Sequence, residues 1–475
     1  MSGFMRRALG WLLPAVLAAG VSADERDTRL RARLAGLVET SARRAQVGIC
    51  VMDVRDGRVL FEQDAGRPLK PASVLKLFTT AAALEHLGDD FAFETRIYER
   101  DGELLVVGSG DPGLGDERLA ALHGRSLHSE YDELAAALRE RGIGRLRTIA
   151  LDDSVFDRAW RHPDWPADQH ANWYQAPIGG LNFNDNCVDA KAVASNGSVT
   201  LELRPPLPAE FVENRLSAGR KTSATVTRDA GRDVLRFRGV VARSSEFSPV
   251  AVNDPTIFFG FALRSALSER GIAPDAGVVR RTLDARALTG AALLLEFRTP
   301  LREVLWRANT FSQNMFADCL LKSLAAYDAG GKRSGSAGSW DGGVAATLAT
   351  LQRVGVETSS MVLRDGSGLS HENRVTAQQV AQLLTVMQQG RHAGAFAASL
   401  AQAGADGTMR NRFMEAHFRG RLIGKTGTIR GVSTLAGYVL VADRPALAFA
   451  VLVNGGNGSD LPEAVARELV ERAAR

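Results

Sequence analysis

Residues Leu77-Phe78-Thr79-Thr80-Ala81-Ala82-Ala83-Leu84-Glu85-His86-Leu87 are apolar on nearly every side of a helix, and Gly88 supplies a stop. A helix without a solvent face has to be enclosed by the rest of the chain. Just ahead of it, Pro71-Ala72-Ser73-Val74-Leu75-Lys76 carries a hydroxyl and an amine three residues apart, a spacing that puts both on one helical face. A lysine in that place must find a partner or lose its charge, because desolvation and the positive helix N-terminus both favour the neutral amine. A neutral amine is a base. It can take the proton of Ser73 and turn a weak hydroxyl into a nucleophile. A lone Ser-x-x-Lys arises by chance in many proteins, so its meaning depends on what else the chain brings to it.

At 475 residues the chain exceeds one ordinary core and predicts two to four domains. An apolar fraction of 45% with 24% charged residues is that of a globular protein rather than a disordered one. Arg6-Arg7, the apolar run Ala8 to Ala19 and the small-x-small pattern Val21-Ser22-Ala23 read as a secretory signal peptide over residues 1–23. The run is too short for a permanent bilayer span, and an uncleaved anchor is the alternative. The net charge is +4, and loss of Arg6 and Arg7 leaves the exported chain about +2, with basic and acidic residues interspersed. That pattern excludes a nucleic-acid tract and leaves peripheral membrane contact at most. Cys50, Cys187 and Cys319 are an odd number for an exported protein. Buried free thiols are the simpler reading, and the sequence does not choose among the three possible single bridges.

In chain order, apolar residues at Leu30, Leu34, Leu37 and Val38 predict an amphipathic first helix. Val47–Val54 and Arg58–Glu62 predict two strands around a turn at Arg55-Asp56-Gly57. From Phe91 to Leu288 the texture changes to short strands with two clear helices, roughly 130–141 and 255–271, the second opened by Pro255. Longer helices are expected to return from Leu294. Three strands close the chain at Leu422–Ile429, Ser433–Val441 and Ala446–Asn454, with a turn at Ala442-Asp443-Arg444-Pro445 and a last helix from Pro462 to Ala473. The expectation is a multidomain α+β chain in which two N-terminal and three C-terminal strands form one five-stranded antiparallel sheet flanked by helices. Residues 24–90 and 289–475 then make a discontinuous catalytic domain. Residues 91–288 make an insertion of two smaller β-rich domains, one nested in the other.

Two further stretches join the first. Thr310-Phe311-Ser312-Gln313-Asn314-Met315-Phe316 opens a helical segment with a second hydroxyl and a carboxamide two residues apart. Gly424-Lys425-Thr426-Gly427-Thr428 lies in the first closing strand, where a cation draws a carboxylate, a hydroxyl bonds it and a glycine admits a ligand backbone. Alone, each has a bland reading as a helix cap or a surface lysine beside a bulge. Together and in this order, Ser-x-x-Lys, Ser-x-Asn and Lys-Thr-Gly are the motif set of penicillin-binding proteins and serine β-lactamases.

The long insertion between the first and second motifs narrows the likeness. The chain resembles the D-alanyl-D-alanine carboxypeptidase/endopeptidase family, the class C low-molecular-mass penicillin-binding proteins. Gly108-Ser109-Gly110-Asp111-Pro112, Asp152–Asp157, Ala176-Pro177, Leu181-Asn182-Phe183-Asn184, Asp365–Ser370 and Gly407–Arg412 are similar to it as well. The resemblance implies a β-lactamase-like core, a periplasmic location, peptidoglycan stem peptides as substrate, β-lactams as covalent inhibitors, and no metal or organic cofactor. Position by position it implies Ser73 as nucleophile, Lys76 as base, Ser312 as proton relay to the leaving amine and Asn314 as a holder of a substrate amide. It further implies that Lys425, Thr426, Gly427 and Thr428 form the carboxylate-binding strand, that Lys425 helps keep Lys76 neutral, and that Ser73 and Thr428 N–H groups form the oxyanion hole. Gln313 stands where Asp is frequent in the family and points away from the reacting atoms there. His371 follows Ser370 where some relatives carry an arginine for the diaminopimelate side chain, and Asp168 is the candidate acidic partner for its amino group. The competing readings are a serine β-lactamase or esterase on the same core, and a murein-binding scaffold without catalysis. The first would call for a shorter chain and an acidic deacylating base, the second for an eroded motif.

Overall fold

A computed structural model of the chain describes residues 23–41, 44–127, 129–228, 234–274, 277–441 and 444–473. The expected leader lies outside the described residues save Ala23, and so do residues 442 and 443 of the expected closing turn. Alternate side chains of the strand Gln46–Asp53 face opposite ways, and both faces are covered. Val47, Ile49 and Val51 pack among residues of the helices Ala23–Ser41 and Leu461–Ala473, while Cys50 and Met52 join a larger core that includes the Lys76–Leu87 helix. The sheet is therefore the middle layer between two helical layers.

That sheet is antiparallel, in the order Ala401–Gln402, Leu422–Ile429, Val432–Val441, Arg444–Asn454, Gln46–Asp53, Val59–Gln63. The N-terminal and C-terminal strands meet as expected, with Cys50 opposite Ala450 and Lys425 opposite Ala436. A sixth strand at the edge, Ala401–Gln402, is two residues long and has no hydrophobic period to announce it. No helix among the described residues is long and apolar enough to cross a membrane. Cys50, Cys187 and Cys319 are all free and buried.

A separate five-stranded sheet runs Val278–Arg280, Thr148–Asp152, Glu103–Val107, Ala92–Arg100, Ala292–Pro300. The last of these corrects the expectation of helix from Leu294: Ala292–Pro300 is a strand paired along Ala92–Arg100. Its run of leucines carries no β-branched residue, and the pairing strand rather than local propensity decides its state. The helices resume at Leu301–Thr310. Between strands of this sheet in sequence lie two smaller groups, Cys187–Ser195 with Ser198–Arg204, Ser245–Glu246 and Val250–Ala251, and Val212–Ala218 with Leu235–Val241 and Thr225–Arg228. Helices occupy Ser129–Glu140 and Pro255–Glu269 as expected, and a short third, Glu117–Leu122, starts where the Asp116 carboxylate accepts the Leu119 N–H.

Candidate active site

Ser73 sits on a 3-10 turn, Ala72–Leu75, that runs directly into the α-helix Lys76–Leu87. The expected single α-helix is therefore split, with serine on the tighter turn and lysine first on the helix. Ala72 is left-handed at φ +48°, which breaks the α-helical path ahead of the serine. The Ser73 and Lys76 side chains still meet: the Lys76 Nζ lies 3.1 Å from the Ser73 Oγ.

Lys76 is completely buried. Besides Ser73, its amine donates to Asn314 Oδ1 at 2.7 Å and to the Ser367 carbonyl at 2.7 Å. Three acceptors match the three protons of an ammonium, so the site holds the charged form well in geometry. Burial works against it and pushes the amine down to about 8, while Asp318 and Asp365 pull it back up. Asp318 lies one turn beyond Asn314 on the helix Asn314–Ala326, and its Oδ1 accepts the Gly366 N–H at 2.7 Å. Asp365 accepts from Gly368 N, Ser370 N, the Asn373 amide and the Trp165 indole. Burial, with Asp365 nearby, raises the Asp318 carboxyl well above the usual carboxylate range, and Lys76 opposes that rise. The two acids thus limit how far the lysine is depressed.

The loop that carries the Ser367 carbonyl passes very close to the Ala72–Leu75 turn that carries Ser73. Gly368 is left-handed at φ +83°, and a Cβ placed on it would lie 1.9 Å from the Ala72 carbonyl oxygen. Only glycine fits there.

Ser312 does not open a helix as expected. It stands in the break between Leu301–Thr310 and Asn314–Ala326, with φ +59°. Its Oγ accepts a 2.8 Å hydrogen bond from the Lys425 amine, which also donates to the Thr426 carbonyl. Lys425 is buried, and burial first, then the charge of Lys76, lower its pKa well below that of an ordinary lysine. The repulsion between the two amines registers at Lys425, whereas burial is what depresses Lys76.

On the strand Leu422–Ile429, Thr426 bonds the Thr408 hydroxyl at 2.8 Å, and Thr428, two residues on and exposed, lies on the same face of the strand. A Cβ on Gly427 would come within 2.9 Å of the Ser73 backbone nitrogen and 2.2 Å of Thr434 Oγ1, so this strand runs against the Ser73 backbone. The arrangement brings together a hydroxyl with a buried amine at hydrogen-bond distance, a second hydroxyl held by a second amine, and a strand with an exposed threonine on its face.

Asn314 is engaged at both ends, by Lys76 at Oδ1 and by the Tyr174 carbonyl, to which its Nδ2 donates at 2.8 Å. In this state it orients the lysine. Asp168 stands exposed on the turn Ala167–Gln169, outside the hydrogen-bond network of Ser73, Lys76 and Asn314. Sequence reasoning missed the parts of Asp318, Asp365, the Ser367 carbonyl, Tyr174 and Thr408. Asp365 and Thr408 lie in stretches whose likeness was visible but whose role was not. Among the described residues no group of three or more His, Cys, Asp or Glu side chains is placed to hold a metal ion.

Residues 30–475 match the model of the D-Ala-D-Ala carboxypeptidase 3 (S13) family. A D-alanyl-D-alanine carboxypeptidase of Actinomadura sp. (strain R39) is 31% identical over 493 residues, covering 98% of this chain and 88% of that protein. The crystal structure of penicillin-binding protein 4 (DacB) from Haemophilus influenzae superposes with a TM-score of 0.71 at 23% identity, covering 93% of this chain and 97% of that one. The same protein complexed with a β-lactam superposes with a TM-score of 0.67, at 23% identity and with the same coverage. At that identity the two structures speak for the fold, and the architecture is that of a penicillin-binding protein. With the family model spanning nearly the whole chain and a curated relative alongside it, the protein belongs to the D-Ala-D-Ala carboxypeptidase 3 (S13) family of serine peptidases.

Proposed function

We propose that the protein cleaves the terminal D-alanyl-D-alanine bond of peptidoglycan stem peptides in the periplasm through an acyl-enzyme on Ser73, and that β-lactams are trapped at the same oxygen. The observation that carries this reading is the buried Lys76 amine, with its pKa lowered to about 8, at 3.1 Å from the Ser73 hydroxyl. Ser73 attacks the penultimate D-alanine carbonyl while Lys76 takes its proton. The backbone N–H groups of Ser73 and Thr428 receive the developing oxyanion, usually one of the largest catalytic terms. Ser312 passes a proton to the leaving D-alanine nitrogen. Lys425, Thr426 and Thr428, with Gly427 admitting the substrate backbone, bind the terminal carboxylate, whose charge offsets the cost of a protonated, buried Lys425. Asn314 turns one end of its amide to the substrate when it releases the Tyr174 carbonyl. Asp168, exposed on its turn, is the acidic partner for a diaminopimelate amino group. Water completes the hydrolysis without a cofactor. Residues 91–288, as an insertion, shape and limit the cleft and so set how far endopeptidase cutting accompanies carboxypeptidase cutting.

Intact-mass measurement of the protein with a fluorescent penicillin is expected to show one adduct per chain that persists for minutes and is absent from Ser73→Ala. Rapid turnover without a trapped adduct would point instead to a β-lactamase, and no reaction at all to a scaffold. The pH profile has a definite sign. A base must be neutral, so kcat/KM for D-alanine release is expected to rise about tenfold per unit from about pH 6 and level off above about pH 8, where Lys76 has lost its proton. A flat profile over that window would remove Lys76 from the role of base.

A further inference from the structure

Gln313 is the N-cap residue of the Asn314–Ala326 helix, yet its side chain makes no capping bond. It turns instead toward the inserted region, where its Nε2 donates to Asp185 Oδ2 at 2.6 Å. The Gln313 backbone N–H bonds the Arg307 carbonyl at 3.2 Å. The side chain of that same Arg307 reaches Asp185 Oδ2 at 3.3 Å and Asp116 at 2.5 Å. Ser312, the residue these bonds bracket, is a left-handed serine whose hydroxyl meets Lys425.

Asp185 is itself held in an unusual way. Asn184, Asp185 and Asn186 are three consecutive non-glycine residues with φ of +50°, +55° and +51°. A backbone of this kind persists only where its surroundings over-determine it, and such strain concentrates at working sites. Here the Asn186 amide donates to the Pro177 carbonyl and to Asn182 Oδ1, its Oδ1 accepts from Phe183 N, and Asn184 N bonds the Leu114 carbonyl. The turn is pinned on both sides, and what it presents is the Asp185 carboxylate.

We infer that Asp185 is a positioning residue: through Gln313 and Arg307 it fixes the left-handed Ser312 that offers its hydroxyl to Lys425. This rests on the reading of Ser312 as the proton relay. Burial and the neighbouring Asp116 push the Asp185 carboxyl up to about 7, against the pull of Arg307 and Gln313, so an asparagine there is a mild change near neutrality. A cavity of about 330 Å³ borders both Asp185 and Gln313, so trimming either side chain enlarges existing space rather than opening a new void.

The test measures kcat and KM for D-alanine release, and melting temperature, in Asp185→Ala, Asp185→Asn, Gln313→Ala, the double alanine variant and Ser312→Ala. Expected are a roughly tenfold fall in kcat for each single alanine variant with KM and melting temperature nearly unchanged, no further fall in the double, and near-native kcat in Asp185→Asn. Native kcat in Asp185→Ala or Gln313→Ala, or losses that multiply in the double variant, would overturn the inference. So would a fall in kcat that follows the melting temperature. Should Asp185→Ala fail to fold, Gln313→Ala decides alone. Ser312→Ala separates the two layers: if it loses rate while the others do not, only the positioning role fails, and if it keeps full rate the relay reading and the positioning role fall together.

Discussion

Ser73→Ala is expected to lower D-alanine release by about 10⁴-fold or more, and adding Lys76→Met to it is expected to change nothing further. In the proposed mechanism the two groups act in one step. A hydroxyl without its base is a poor nucleophile, and a base without its hydroxyl has nothing to activate, so each single variant already forfeits the whole effect. Ser73 is only half-buried and its hydroxyl bonds Lys76, so its removal is expected to leave the fold intact. Lys76→Met keeps the length and apolar stem of the side chain while leaving Asn314 Oδ1 and the Ser367 carbonyl without their donor. It is therefore expected to lose some stability as well, and its melting temperature has to be read beside its rate. Steady-state release from a D-Ala-D-Ala peptide by the two single variants and the double closes the cycle. Losses that multiply would mean that Lys76 works on a different step from Ser73 and would remove the shared nucleophile–base pair.

What was legible in the sequence follows from what kind of interaction decides each feature. The Leu77–Leu87 helix and the strands at 422–429 and 446–454 are written in side-chain periodicity, which is local, and all were placed within two residues of where they lie. The three motifs were legible because each keeps its chemistry within a few residues. Ala292–Pro300 was misread because its leucines suit either state and the deciding partner, Ala92–Arg100, is remote in sequence. The left-handed Ser312 was invisible for a like reason, since Lys425, which bonds it, and Asp185, which bonds its neighbour Gln313, are remote in sequence. Likewise Asp318 and Asp365, which restrain the pKa of Lys76, carry no spacing signal, because their relation to the lysine exists only once the 365–370 loop folds over the nucleophile turn. Sequence reading found the three motifs that the fold brings together; the groups around them belong to tertiary structure.

Gly368→Ala is the substitution outside the three motifs that is expected to do most harm. Two separate costs fall on it. A side chain at φ +83° is strained by about 1–2 kcal/mol whatever the space around it, and here the new Cβ also meets the Ala72 carbonyl oxygen at 1.9 Å. Backbone is the obstacle, so no rotamer change relieves the overlap. The loop side cannot give easily, because Asp365 grips the N–H groups of residues 368 and 370 together with the Asn373 amide. The movement is thus forced onto the Ala72–Leu75 turn, which carries Ser73 and already holds Ala72 left-handed. The expected loss is about 3 kcal/mol in urea-induced unfolding, with kcat down about 10–100-fold in the folded fraction as the Ser367 carbonyl moves away from Lys76. Gly271→Ala is the matched control: its φ of +78° is as unfavourable, but nothing lies within 4 Å of the added carbon. It is expected to lose only about 1 kcal/mol and to keep full activity. Equal losses in the two variants would show that conformational strain alone accounts for Gly368, and that the nucleophile turn does not depend on the close passage of the loop above it.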